Sequence, residues 1–186
     1  MRRLMLNCLA ASLAVSALPA RPSAQRDRQE GPLAPGFIKR GQARLKVFGF
    51  SIYDATLWTE PGFSATRYAE HTFALELQYW RTFSGDSIAR RALDEMRLQA
   101  DLAPSTGQRW LTTMLGLFPD VQPRDRLMGL HQPVGATRFV FNGQVLGHVE
   151  DTEFARLFFG IWLSPKTSQP GMRSELLGET SVGPAS

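Results

Sequence analysis

The amino-acid sequence predicts an α+β domain, one antiparallel sheet with a helical layer on one face. Three observations carry this. Segments of period-two alternation come in runs before and after a pair of helical segments, without the strict β–α alternation of a doubly wound parallel sheet. Asn142-Gly143 joins Thr137–Phe141 to Gln144–Val149, the strongest hairpin signal in the chain, and a two-residue turn requires antiparallel pairing. Phe154, Leu157, Phe158, Ile161 and Trp162 recur at i, i+3, i+4, i+7 and i+8, the one-sided stripe of a helix laid against a core.

The elements follow in chain order. Ala43–Trp58 is rich in β-formers, with Phe48, Phe50 and Ile52 in one phase and Tyr53, Ala55 and Leu57 in the other. That one-residue change of phase predicts a bulge or break near Ile52-Tyr53. Glu60-Pro61-Gly62 is a turn. Thr72–Arg81 is a strand with Phe73, Leu75, Leu77 and Tyr79 on one face and Glu76 and Gln78 on the other. Ser84 or Asp86 caps a helix to about Ala100, striped by Ile88, Ala89, Ala92, Leu93, Met96 and Ala100. Pro104 breaks the chain, and a second helix covers about Ser105–Phe118, with Trp110, Leu111, Met114, Leu115 and Phe118 inward, and Pro119 and Pro123 end it. Arg126–His131 reads as a strand. Asp151 caps the third helix, Ser164-Pro165 stops it, and Met172–Leu177 is a last short helix ended by Gly178.

Apolar residues make up 43% of the 186, with 12 Phe and 4 Trp, enough to build a core. Eighteen of the 21 basic residues are Arg, which explains a pI near 9.7 at a net charge of only +4. Three of those Arg lie within residues 1–24, which hold no acid, so residues 25–186 carry 18 basic and 17 acidic groups. A near-neutral body argues against a nucleic-acid partner.

Residues 1–24 read as a secretory signal: Arg2-Arg3, an apolar run from Leu4 to Ala20, then small residues. Cleavage after Ala20 or after Ala24 fits, and a retained membrane anchor is the competing reading. The single cysteine, Cys8, leaves with that segment, so no disulfide or thiolate metal site is expected. The expected organisation is signal 1–24, linker 25–35, one domain over 36–178 and a disordered tail over 179–186, in a periplasmic or secreted bacterial protein without a further membrane span.

Chemistry-bearing motifs are scarce. His71, His131 and His148 have no partners at metal-ligand spacing, so no metal is expected. Phosphate-binding glycine loops and nucleophile elbows are absent, and no cofactor is expected. Glu150, Asp151 and Glu153 suit a helix start, where carboxylates favour the dipole. The run Phe158–Trp162 either lines a ligand cavity or packs a core.

Three stretches together resemble the chalcone isomerase-like family, in its bacterial exported branch. The first runs from Gly41-Gln42-Ala43-Arg44 through Ile52-Tyr53-Asp54-Ala55-Thr56-Leu57-Trp58, and the second is strand Leu75–Arg81 with the Ser84–Asp101 helix. The third is Phe141-Asn142-Gly143, Leu146-Gly147, Glu150-Asp151, Phe154 and Phe158–Leu163, then Arg173 and Leu176-Leu177-Gly178. The resemblance implies an open-faced sandwich. It also implies one of two activities: binding of a fatty acid or similar amphipathic anion in the cleft between sheet and helices, or intramolecular cyclisation of a chalcone to a flavanone. A structural or partner-binding role is the third alternative. By resemblance Arg44 holds the ligand anion, with Tyr53 as a hydrogen-bonding helper and Tyr79 and Arg81 as nearby polar groups. Arg44 also reads as a surface strand residue, and Tyr79 fits an apolar face equally well. The plant isomerases carry Thr where Tyr53 stands, and their second hydroxyl falls near Ile88, which has none. That favours binding over cyclisation.

Overall fold

The computed structural model describes residues 36–179 apart from Gly135. The expected signal (1–24), the expected linker (25–35) and residues 180–186 of the expected tail lie outside the described residues. Six strands form one sheet: β1 (Ile38–Val47), β2 (Phe50–Thr59), β3 (Phe73–Tyr79), β4 (Arg126–His131), β5 (Thr137–Phe141) and β6 (Gln144–Val149). They lie in the order β1 to β6, each antiparallel to the next. Helices α1 (Gly85–Arg97) and α2 (Pro104–Leu117) are inserted between β3 and β4, and α3 (Thr152–Leu163) and α4 (Pro170–Leu177) follow β6. A 3-10 segment, Ala65–Glu70, links β2 to β3. The architecture is the α+β sandwich, open on one face, that the sequence predicts.

Alternation sorts the strands between two environments. Ala43, Tyr53, Ala55, Leu57, Leu75, Leu77, Tyr79, Leu127 and Phe139 pack with the helices in the main core. At its centre α3 lays Phe158 edge-on to Phe139 at 5.2 Å and Phe159 edge-on to Phe73 at 4.8 Å. Gly129 makes room for this, because a Cβ there would lie 2.9 Å from the Phe159 ring. Thr56, Trp58, Ala74, Glu76, Gln78, Met128 and Val140 belong to the opposite face, where buried Ala74, Met128 and Val140 form a small second cluster with Phe37, Trp58 and Leu130 packed against it.

The β1–β2 region differs from the sequence reading in one respect. Phe48 and Gly49 do not continue a strand; they form a two-residue turn, with φ of 49° and 81° and Val47 paired to Phe50. Phe48 therefore shares no sheet face with Phe50 and Ile52. The predicted bulge is present, because Lys46 pairs with Ser51 and Leu45 with Tyr53, which leaves Ile52 as the extra residue. Two further register shifts leave Arg40 extra in β1 and Leu146 extra in β6.

The helices start where their caps stand. Ser84 accepts a hydrogen bond from the Ser87 N–H, and Asp151 from the N–H groups of Glu153 and Phe154. Gly178 ends α4 in the left-handed conformation. Leu115, expected inward on α2, is exposed: one residue past buried Met114, it is turned about 100° round the helix from the core-facing line. Beyond β3 and before β4, Phe83 and Val121 bridge, and the Gly85 N–H donates to Asp120 at 2.9 Å. These contacts fix the end of the sheet at which β1 and β2 turn.

Candidate functional site: two pairs on opposite faces

The four residues singled out in the sequence do not meet. Register splits them into two pairs. Arg44 and Arg81 line an open groove at the turn end of the sheet, whereas Tyr53 and Tyr79 sit under the helices.

The groove has a volume of about 760 Å³ and is lined by Arg44, Ser51, Trp80, Arg81, Phe83 and Pro123 among others. That lies within the roughly 300–1,000 Å³ of small-molecule sites. Arg44 extends from the solvent face of β1 and its guanidinium lies over the Trp80 ring, 5.2 Å from the centroid. Arg81 lies over Phe50 at 4.5 Å. Stacking of this kind orients a guanidinium while leaving its in-plane N–H groups free for an oxyanion.

The resemblance implies that Arg44 faces the cleft between sheet and helices with the ligand anion as its partner. Both expectations are corrected here, because Arg44 lies on the other face and forks onto Asp54: Nε donates to Oδ1 at 2.5 Å and the terminal nitrogen to Oδ2 at 2.8 Å. The cause of both is the bulge. With Val47 paired to Phe50, an unbroken ladder would set Arg44 against Tyr53; the extra residue Ile52 sets it against Asp54 instead. Arg44 holds the Asp54 carboxyl below the usual range, against the effect of burial, with the Trp80 indole adding to it. The Asp54 side chain is only 8% exposed. Removing Arg44 therefore strands a buried carboxylate and costs stability. Arg81, by contrast, has no carboxylate partner among the described residues.

On the helix side, Tyr53 and Tyr79 face each other across β2 and β3, with ring centroids 6.0 Å apart. The Trp162 indole N–H donates to the Tyr53 hydroxyl at 3.1 Å. Burial, more than any neighbour, pushes the Tyr53 phenol up to about 12; the Trp162 bond opposes this and the Glu95 charge adds to it. Tyr79 is raised further, by burial and then by Tyr53. Both are neutral hydrogen-bonding groups at physiological pH. Glu95, buried on α1, pairs with the exposed Arg91. Ile88 is partly buried against the core.

Sequence reasoning passed over Trp80, Phe83 and Glu95. Trp80-Arg81 at a strand end is an aromatic–cation pair visible in the sequence, and Glu95 stands three residues after Ala92 in the apolar stripe. Among the described residues, no group of three or more His, Cys, Asp or Glu side chains could hold a metal ion. None of the described helices is long and apolar enough to cross a membrane.

A one-sided antiparallel sheet, closed by helices on one face and ending in a cationic aromatic groove, defines an α+β open-faced sandwich. The model of the chalcone isomerase-like family matches residues 40–178, and the chain belongs to that family. An uncharacterized protein of Haemophilus influenzae is 31% identical over 140 residues, spanning 75% of this chain and 67% of that protein. The crystal structure of an Arabidopsis thaliana fatty-acid binding protein superposes with a TM-score of 0.61 at 11% identity, covering 78% of this chain and 88% of its own. At that identity the likeness is one of fold.

Proposed function

We propose that the protein binds an amphipathic anion of the fatty-acid type, with the carboxylate at Arg81, beside the Arg44–Asp54 pair, and the hydrocarbon along Trp80, Phe83 and Pro123. The observation that carries this is a ring-stacked guanidinium in the groove, Arg81, that has no carboxylate partner among the described residues. The fold shared with a fatty-acid binding protein supports the ligand class. A guanidinium matches a carboxylate with two parallel hydrogen bonds, and the adjacent rings supply apolar surface to an alkyl chain.

The test is calorimetric titration with dodecanoate, using dodecanol as the neutral control. Arg81→Gln should weaken dodecanoate about tenfold, as expected for a lost charge-assisted contact, without changing dodecanol or the melting temperature. Tyr53→Phe should change affinity less than about twofold, because one good hydrogen bond to the ligand would be worth more than that. Unchanged dodecanoate affinity in Arg81→Gln overturns the assignment. A loss confined to Tyr53→Phe would move the ligand to the sheet–helix interface.

The same reading takes the protein as exported, on the strength of Arg2-Arg3, the apolar run and Ala24. Protein recovered from a bacterial envelope fraction should begin near Arg21 or Gln25, and recovery of intact Met1 in the cytosol would contradict it.

A further inference from the structure

The chain contains two hairpin turns with nearly the same backbone. At Asn142-Gly143 the φ angles are 48° and 85°; at Phe48-Gly49 they are 49° and 81°. The first uses Asn, which tolerates the left-handed region, while the second holds a phenylalanine there. Phe48 gains nothing from packing in return, since it is 96% exposed at the turn tip. Its neighbours Val47 and Phe50 are 43% and 58% exposed. A local penalty kept with no intramolecular compensation points to a role outside the fold.

The surroundings identify what meets it. Lys46 stands on β1 beside the turn, and Arg81 lies over Phe50 without a carboxylate partner among the described residues, so two cations stand behind the apolar tip; Arg44, next along β1, is paired with Asp54. We propose that the β1–β2 turn docks on an anionic phospholipid surface, with Phe48, Val47 and Phe50 entering the acyl boundary and Lys46 and Arg81 at the headgroups. A few apolar side chains on a convex two-residue turn offer far less than the roughly 800 Å² per partner of a stable protein interface. They do suit a fluid surface that closes around them, and aromatic residues backed by Lys and Arg combine the two attractions that hold a protein at an anionic bilayer. Docking there brings the groove of Arg44 and Arg81 against the membrane. The proposal does not depend on fatty-acid binding.

The experiment is co-sedimentation of the processed chain, beginning at Gln25 and so without the apolar run of residues 4–20, with vesicles of phosphatidylcholine containing about one third phosphatidylglycerol, against phosphatidylcholine alone. Residues 25–35 are common to every variant, so differences report on the turn. Phe48→Asn gives this turn the residue found in its twin, so the fold should be at least as stable. Vesicle affinity should fall about tenfold, the scale of withdrawing one phenyl group from an apolar phase, and Phe48→Trp should restore it. Lys46→Gln should cost about fivefold and reduce the salt sensitivity. Dodecanoate binding in solution should survive Phe48→Asn, so this proposal and the ligand assignment fail separately. Unchanged vesicle affinity in Phe48→Asn, or equal binding to neutral and anionic vesicles, overturns the proposal.

Discussion

Asp151 joins two helices through one carboxylate. Its Oδ1 accepts the N–H groups of Glu153 and Phe154 at 3.1 and 3.0 Å, which caps α3. Its Oδ2 accepts the indole N–H of Trp110 at 2.9 Å, which ties α3 to α2. Trp110 is buried and stands edge-on to Phe154, so Asp151 is the partner its N–H finds within the protein. Asp151→Ala removes the cap, about 1 kcal/mol, and strands the indole donor, about 1–3 kcal/mol. The expected loss is therefore about 2–4 kcal/mol. The Arg109 contact at 3.4 Å is exposed and adds little. Asp151→Asn separates the two roles. One amide oxygen can serve the cap or the indole but not both, so this variant should lose about 1–3 kcal/mol. Urea denaturation of both variants, repeated in a Trp110→Phe background, reads the coupling, expected near 1 kcal/mol. Burial raises the Asp151 carboxyl, but the bonds from Phe154, Trp110, Arg109 and Glu153 outweigh it and hold it below the ordinary range. Its contribution is thus present above about pH 4 and fades as pH falls through the folded-state value. A loss in Asp151→Ala under about 0.5 kcal/mol, the scale of a neutral surface change, would refute this account.

Two other perturbations test the core. Trp162 is buried, touches Phe158 and donates to Tyr53, so Trp162→Ala should cost about 3–5 kcal/mol in the same assay; a cost under about 1 kcal/mol would mean that α3 is misplaced. His131 lies between Phe73 and Phe159 with Nε2 2.9 Å from the Ala69 carbonyl oxygen, and burial lowers its pKa despite that bond. The unfolded chain therefore binds the proton more tightly, and stability should decline as pH falls from about 6.5 toward the lower folded value. His131→Phe should flatten that decline in melting curves between about pH 7 and 5; an unaltered profile would assign the decline to other groups.

Local signals predict this fold well where one residue type has one meaning. Asn142-Gly143, the Ser84 and Asp151 caps and the α3 stripe all stand where the sequence places them, because each follows from short-range geometry. Phe48 misleads because an aromatic between Val47 and Phe50 reads as strand. The site was less legible for a longer-range reason. Whether Arg44 meets Tyr53 or Asp54 depends jointly on the turn centre and on a single extra residue, Ile52. The phase change signals that residue, but only the position of the turn converts it into a pairing. Trp80 enters the groove from the end of β3 and reaches Arg44 of β1 across the intervening β2, a meeting that no motif encodes.

An open sheet has two outer strands, and each offers its unpaired backbone to any extended chain that comes near. Here both outer strands are interrupted. Arg40 interrupts the ladder of β1, and α4 crowds that strand so closely that a Cβ on Gly41 would lie 2.3 Å from the Glu175 carbonyl oxygen. Leu146 interrupts β6, next to Gly147 at φ 159°. A foreign strand would find only Gly147–Val149 regular beyond the irregularity of β6, and on β1 it would meet the run Gly41–Val47 behind the break at Arg40. The irregularities at the rim of the sheet thus work against one copy of the chain extending another, most strongly at β6.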